Sequence, residues 1–141
     1  MQYMRQAVND LVCTWETRAP YRICEYLGIE VDEYCFRDNI KGLTIRVSGR
    51  TLVAINPMLP RHWKRFVLAH EIGHNQLSST AAGYFFLSEH TFMEPLIERE
   101  VNQFVVELLV RNEQPYWGET AERFAARVGV PAEMMEYWVT G

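Results

Sequence analysis

One short run fixes much of what this 141-residue chain can become: FVLAHEIGHNQL, residues 66–77, where two histidines stand four apart and a glutamate follows the first. At about 100° per residue, His70 and His74 project within about 40° of each other on a helix, so they share a face. Trp63, Phe66, Val67 and Leu77 lie near that face, which turns both imidazoles towards an apolar interior. Two unpaired buried imidazoles are costly. A metal ion removes the cost, because zinc accepts ring nitrogens at about 2.0–2.1 Å in a tetrahedral set. Glu71, about 100° round the helix from His70, is poorly placed to ligate the same ion but can reach a water bound to it, which is the position of a general base.

Such a centre needs a third ligand. The segment PLIEREVNQFVVELLVRN, residues 95–112, reads as a helix, and Glu94, Glu98, Glu100 and Glu107 are the carboxylates on or beside it. Ile97, Val101, Phe104, Val105 and Leu108 form its apolar stripe. Glu98 sits at the edge of the stripe, with Asn102 one turn on. Glu100 falls on the other side with Gln103 and Glu107, where solvent is expected. Glu98 is therefore favoured as third ligand, with Glu100 the alternative if the helix is rotated. Asn102 is expected to accept the free ring N–H of His70 or His74 and fix its tautomer. Two histidines, one glutamate and an open vertex make a catalytic rather than a structural zinc site. His62 is expected at the surface or as a cap. Tyr84 and His90 could stabilise a transition-state oxyanion, although an ordinary loop role is the simpler reading of each.

The rest of the chain supplies a frame. Residues 3–17 and 20–27 read as helices, with Pro20 opening the second and Gly28 closing it. Residues 29–36 read as a strand. GLTIRVSGRTLVAIN alternates apolar and polar residues around Ser48-Gly49-Arg50, a hairpin signal. Pro60 opens the motif helix, and residues 119–127 and 132–139 read as two short helices. The expectation is one α+β domain, a small antiparallel sheet packed against helices, zincin-like around the motif helix. It divides into an N-terminal helix (1–18), a zinc-peptidase core (19–111) and a helical tail (115–141).

Composition narrows the partners. With 48% hydrophobic and 23% charged residues the chain is globular, and its net charge of −4 gives no overall field for nucleic acid or an anionic membrane. No run of about 18 apolar residues exists to span a bilayer. Cys13, Cys24 and Cys35 stand eleven residues apart, unlike a metal or redox pair, and are expected to be reduced and structural. A cytoplasmic protein fits these features.

The run GLTIRVSGRTLVAINPMLPRHWKRFVLAHEIGHNQL, a hairpin ending in Ile-Asn-Pro before F-x-x-A-H-E-[LI]-G-H, resembles the ImmA/IrrE metallopeptidases. EREVNQFVVELLV, residues 98–110, resembles their E-x-E-A-[ND]-x-F-A-x-x-L-L segment, and PYRICEYLGIEV their short helix before the first strand. The likeness spans roughly residues 20–110. It implies metal histidines at His70 and His74, a catalytic glutamate at Glu71 and a ligand glutamate at Glu98, the gluzincin arrangement. Val101 and Val105 stand where alanines are usual, and Asn75-Gln76-Leu77-Ser78 lacks a further histidine that many members carry. The resemblance also implies a protein substrate, a helix-turn-helix repressor whose cleavage frees genes of a mobile element, prophage or stress response. The alternative is an anti-repressor or toxin–antitoxin partner that binds a repressor with zinc in a structural role. The tail AERFAARVGVPAEMMEYWV has the cadence of a helix-turn-helix, but two arginines against three glutamates argue for packing or partner contact over direct DNA binding.

Overall fold

Helix α4, Leu96–Val110, is the axis of the molecule, and its sequence explains why. Val101, Phe104, Val105, Val106, Leu108, Leu109 and Val110 are all at most 2% exposed, so apolar side chains leave it in nearly every direction. A helix apolar all round must be covered all round. The covers are α1, Gln2–Trp15, on one side, α3, Arg61–Leu77, on another, and a 3₁₀ turn, Ala132–Tyr137, on a third. The computed structural model describes residues 2–36, 40–77 and 96–138.

Around this axis the order is α1, α2 (Pro20–Leu27), β1 (Ile29–Glu33), β2 (Gly42–Val47), β3 (Arg50–Ile55), α3, α4, α5 (Ala121–Val128) and the 3₁₀ turn. Met4, Val8 and Leu11, spaced by four and three residues, are the buried edge of α1. Gly28, at φ +72°, closes α2 with its N–H on the Cys24 and Glu25 carbonyls. Arg18 performs a similar service for α4, donating from Nη1 to the Leu108 and Glu107 carbonyls at 3.0 and 3.3 Å. The 3₁₀ turn corrects the expected second α-helix of the tail. It follows Pro131 and presents no fully buried residue, although Trp138 just beyond it rests on Phe124 with ring centroids 4.9 Å apart.

The sheet is mixed, in the order β1-β3-β2, where the sequence suggested an antiparallel one. Strands β2 and β3 form the expected hairpin, Val47 opposite Arg50, and both turn residues have positive φ (Ser48 52°, Gly49 77°), as a two-residue type I′ turn requires. The hairpin returns β3 to the direction of β1. Because β1 docks on the free edge of β3, from Ile29 beside Thr51 to Glu33 beside Ile55, the two run parallel.

The inward face also differs from the apolar alternation. Leu43, Ile45 and Val47 suggest the buried side of β2, yet Ile45 and Val47 are 40% and 62% exposed while Thr44 is 5% exposed. The inner face instead carries Gly42 and Thr44 beside Ile55 and Val53 of β3. Gly42 explains the choice: a Cβ there would lie 2.8 Å from Val67 Cγ1, so only glycine lets β2 approach α3 this closely.

Candidate metal centre

The site is assembled where α3 and α4 touch. Gly73 of the motif helix faces Val101 and Phe104 of α4, and a Cβ there would sit 2.9 Å from Val101 Cγ1 and 3.2 Å from Phe104 Cδ1. The missing side chain lets α4 settle against α3, which brings the first turn of α4 level with the second half of the motif. Glu98 projects from that first turn, where the helix dipole favours a carboxylate.

There His70 Nε2 lies 3.0 Å from Glu98 Oε2, His74 Nε2 lies 2.8 Å from Glu98 Oε1, and the two ring nitrogens are 3.2 Å apart. On its other side His70 Nδ1–H donates to Asn102 Oδ1 at 3.0 Å, both residues being buried. That tautomer leaves a lone pair on Nε2, aimed at the other two residues. Burial pushes the His70 imidazole below its ordinary pKa despite the nearby Glu98 carboxylate. Burial of Glu98 opposes its ionisation too, but the His70 and His74 rings beside it hold its carboxyl well below the usual range. A neutral imidazole facing a carboxylate and a second ring nitrogen leaves electron-rich atoms pointing at one spot.

A cation suits that spot. Ligands about 2.0–2.1 Å from a tetrahedral zinc lie roughly 3.3–3.4 Å from each other, and the three separations here, 2.8 to 3.2 Å, fall just inside that value. Among the described residues, His70, His74 and Glu98 are the cluster able to hold a metal ion, and Glu100, the alternative ligand, is not a member. Glu100 is half-buried, as is Glu107, which pairs with Arg5 at 3.4 Å rather than facing open water. His74 Nδ1 is buried with no hydrogen-bond partner among the described residues.

Glu71 is 4% exposed on α3, and Thr44 Oγ1 of β2 donates to its Oε2 at 2.7 Å. Thr44 escapes sequence reasoning because the apolar alternation of β2 points the other way; the signal available was Gly42, the small residue that turns that face inward. Behind Glu71 lies Cys24 of α2, whose thiol is pushed up to about 12 by burial and then by the Glu71 charge. Of the three cysteines expected to be structural, only Cys24 is buried, and Cys13 and Cys35 are exposed free thiols. His62 is exposed. Tyr84 and His90 lie outside the described residues.

Residues 24–140 match the model of the peptidase M78 family, described as the IrrE N-terminal-like domain. The chain belongs to this family. M78 membership implies a metallopeptidase, and the matched stretch contains every residue of the cluster together with Glu71, Asn102 and Thr44. A relative from Bacillus phage phi105, described as an uncharacterized immunity region protein 2, is 30% identical over 139 residues, covering 93% of this chain and 85% of that protein. No helix among the described residues is long and apolar enough to cross a membrane.

Proposed function

We propose that this M78 chain is a zinc-dependent endopeptidase that cuts a helix-turn-helix transcriptional repressor. The observation that carries the reading is the convergence of His70, His74 and Glu98 within hydrogen-bond distance of one another, beside a buried Glu71. Two histidines and a carboxylate leave one vertex of a tetrahedron for solvent, the mark of a catalytic zinc site. Zinc, when bound, supplies Lewis acidity and lowers the pKa of its water towards ~7.

The chain's own groups do the rest. Asn102 holds the His70 tautomer that presents Nε2 to the ion. Glu71, oriented by the Thr44 hydroxyl, takes the proton from the attacking water and returns it to the departing peptide nitrogen. Strand β2 is an edge of the sheet, and Thr44 ties that edge to Glu71, so an extended substrate segment can add to β2 with its scissile bond beside the carboxylate. The repressor as substrate rests on the immunity-region relative and on the resemblance to ImmA/IrrE proteins.

The test is incubation of the purified chain with helix-turn-helix repressors of its own source genome, followed by mass spectrometry of the products. Discrete fragments from wild type, none with chelator, and none from a Glu71→Gln variant that keeps its metal are the expected results. Intact repressor under all conditions, with repression still relieved by Glu71→Gln, would instead establish an anti-repressor acting by association.

A further inference from the structure

At the far end of α4, a second set of charged groups has no part in the metal centre. Residue 111, just past the helix, adopts φ +64°, a conformation natural to glycine and strained for a side chain, yet an arginine stands there. Its N–H closes on the Glu107 carbonyl at 3.3 Å, so the turn itself needs no arginine. Arg111 lines a cleft of about 410 Å³ with Arg65 of α3 and Arg127 of α5, a volume within the roughly 300–1,000 Å³ typical of small-ligand sites.

The charges in this cleft do not balance. Arg127 is engaged, with Glu119 at 2.9 Å, Glu113 at 3.1 Å and the Gln114 carbonyl at 2.8 Å. Glu113, the acid lining the cleft, is thereby committed to Arg127. Neither the Arg65 nor the Arg111 guanidinium makes a hydrogen bond or ion pair among the described residues. Arg65 is half-buried, its guanidinium lodged against Gly129, where a Cβ would collide with it. Burial, then the charges of Arg61 and Arg111, lower the Arg65 pKa, and Arg111 also bears on Arg18. A half-buried guanidinium repelled by its neighbours destabilises the chain unless an anion compensates it.

We propose that this cleft binds a phosphate group, held between the forks of Arg65 and Arg111 at the junction of α3, α4 and α5. Arg65, Arg111 and Arg127 against Glu113 and Glu119 leave one net positive charge, and a phosphate monoester brings negative charge together with three acceptor oxygens for two guanidinium forks, where a carboxylate offers two. The source is either free phosphate or the phosphate of a nucleotide, whose remaining bulk the cleft can house.

The full chain is titrated with inorganic phosphate and with AMP, each against sodium chloride of equal ionic strength, by calorimetry and by thermal melting. Saturable binding with a raised melting temperature is expected for at least one of them. Tighter binding of AMP assigns the site to a nucleotide; equal binding assigns it to free phosphate. Arg111→Gly relieves the backbone strain, so it is expected to melt no lower than wild type without ligand while binding about tenfold more weakly, with Arg65→Gln weakened similarly. No response beyond chloride, or unchanged affinity in both variants, overturns the proposal.

Discussion

Two polar networks in this molecule use similar chemistry in opposite surroundings. Between α3 and α4, buried His70 and Asn102 interlock with partly exposed His74 and Glu98, and Thr44 fixes Glu71 alongside. At the surface, Arg127 gathers Glu113, Glu119 and the Gln114 carbonyl and lies over the Tyr116 ring with its guanidinium carbon 3.9 Å from the centroid. Water and salt screen the surface network, which serves to pin residues 113–119 onto α5. In the other, burial of His70, Glu71 and Asn102 leaves little water to substitute for a lost partner. Burial therefore turns a modest set of hydrogen bonds into a site that could hold a cation.

Substitutions in each network should expose this asymmetry. Asn102→Leu leaves the His70 N–H buried without an acceptor, which costs about 1–3 kcal/mol of stability and weakens metal affinity by roughly 10–100-fold; thermal melting and metal competition read the two effects. A variant that kept wild-type metal affinity would place the tautomer under other control. Thr44→Val removes the donor to Glu71 while preserving shape. Peptidase kcat is expected to fall about tenfold, the size of one charge-assisted hydrogen bond, with metal content unchanged.

The smallest effect belongs to the surface. Glu119→Gln is expected to lower the melting temperature at neutral pH only slightly, because solvent screens the pair. Hydrogen bonds from Arg127, the first cause, hold the Glu119 carboxyl down at about 2 from its ordinary 4.5. A carboxyl depressed on folding stabilises above its unfolded pKa, so this contribution is present above about pH 4.5 and is withdrawn as pH falls towards 2. Melting curves across that window should show wild type losing the advantage it holds over Glu119→Gln. Parallel curves would mean that the pair contributes nothing.

The convergence of His70, His74, Glu98 and Asn102 was legible because helical geometry is local: a period of about 3.6 residues decides which side chains share a face. Strand β1 shows where local pattern stops. Its existence is written in Ile29 and Val31, but its parallel direction depends on which edge of a distant hairpin it meets. Thr44 was hidden for a similar reason, since the alternation of Leu43, Ile45 and Val47 says that β2 has two faces while close packing at Gly42 decides which one turns inward. The apolar stripe of α4 was read too narrowly, because Val106, Leu109 and Val110 are buried by α1 and the tail, partners that no window along the helix contains.

Metal analysis of chain purified without chelator addresses the interior network most directly. Inductively coupled plasma mass spectrometry is predicted to find one zinc per chain in wild type and in Glu71→Gln, and a small fraction of that in Glu98→Ala and His74→Ala. Zinc-free wild-type protein, or full zinc retained after Glu98 is removed, would contradict a centre built on His70, His74 and Glu98.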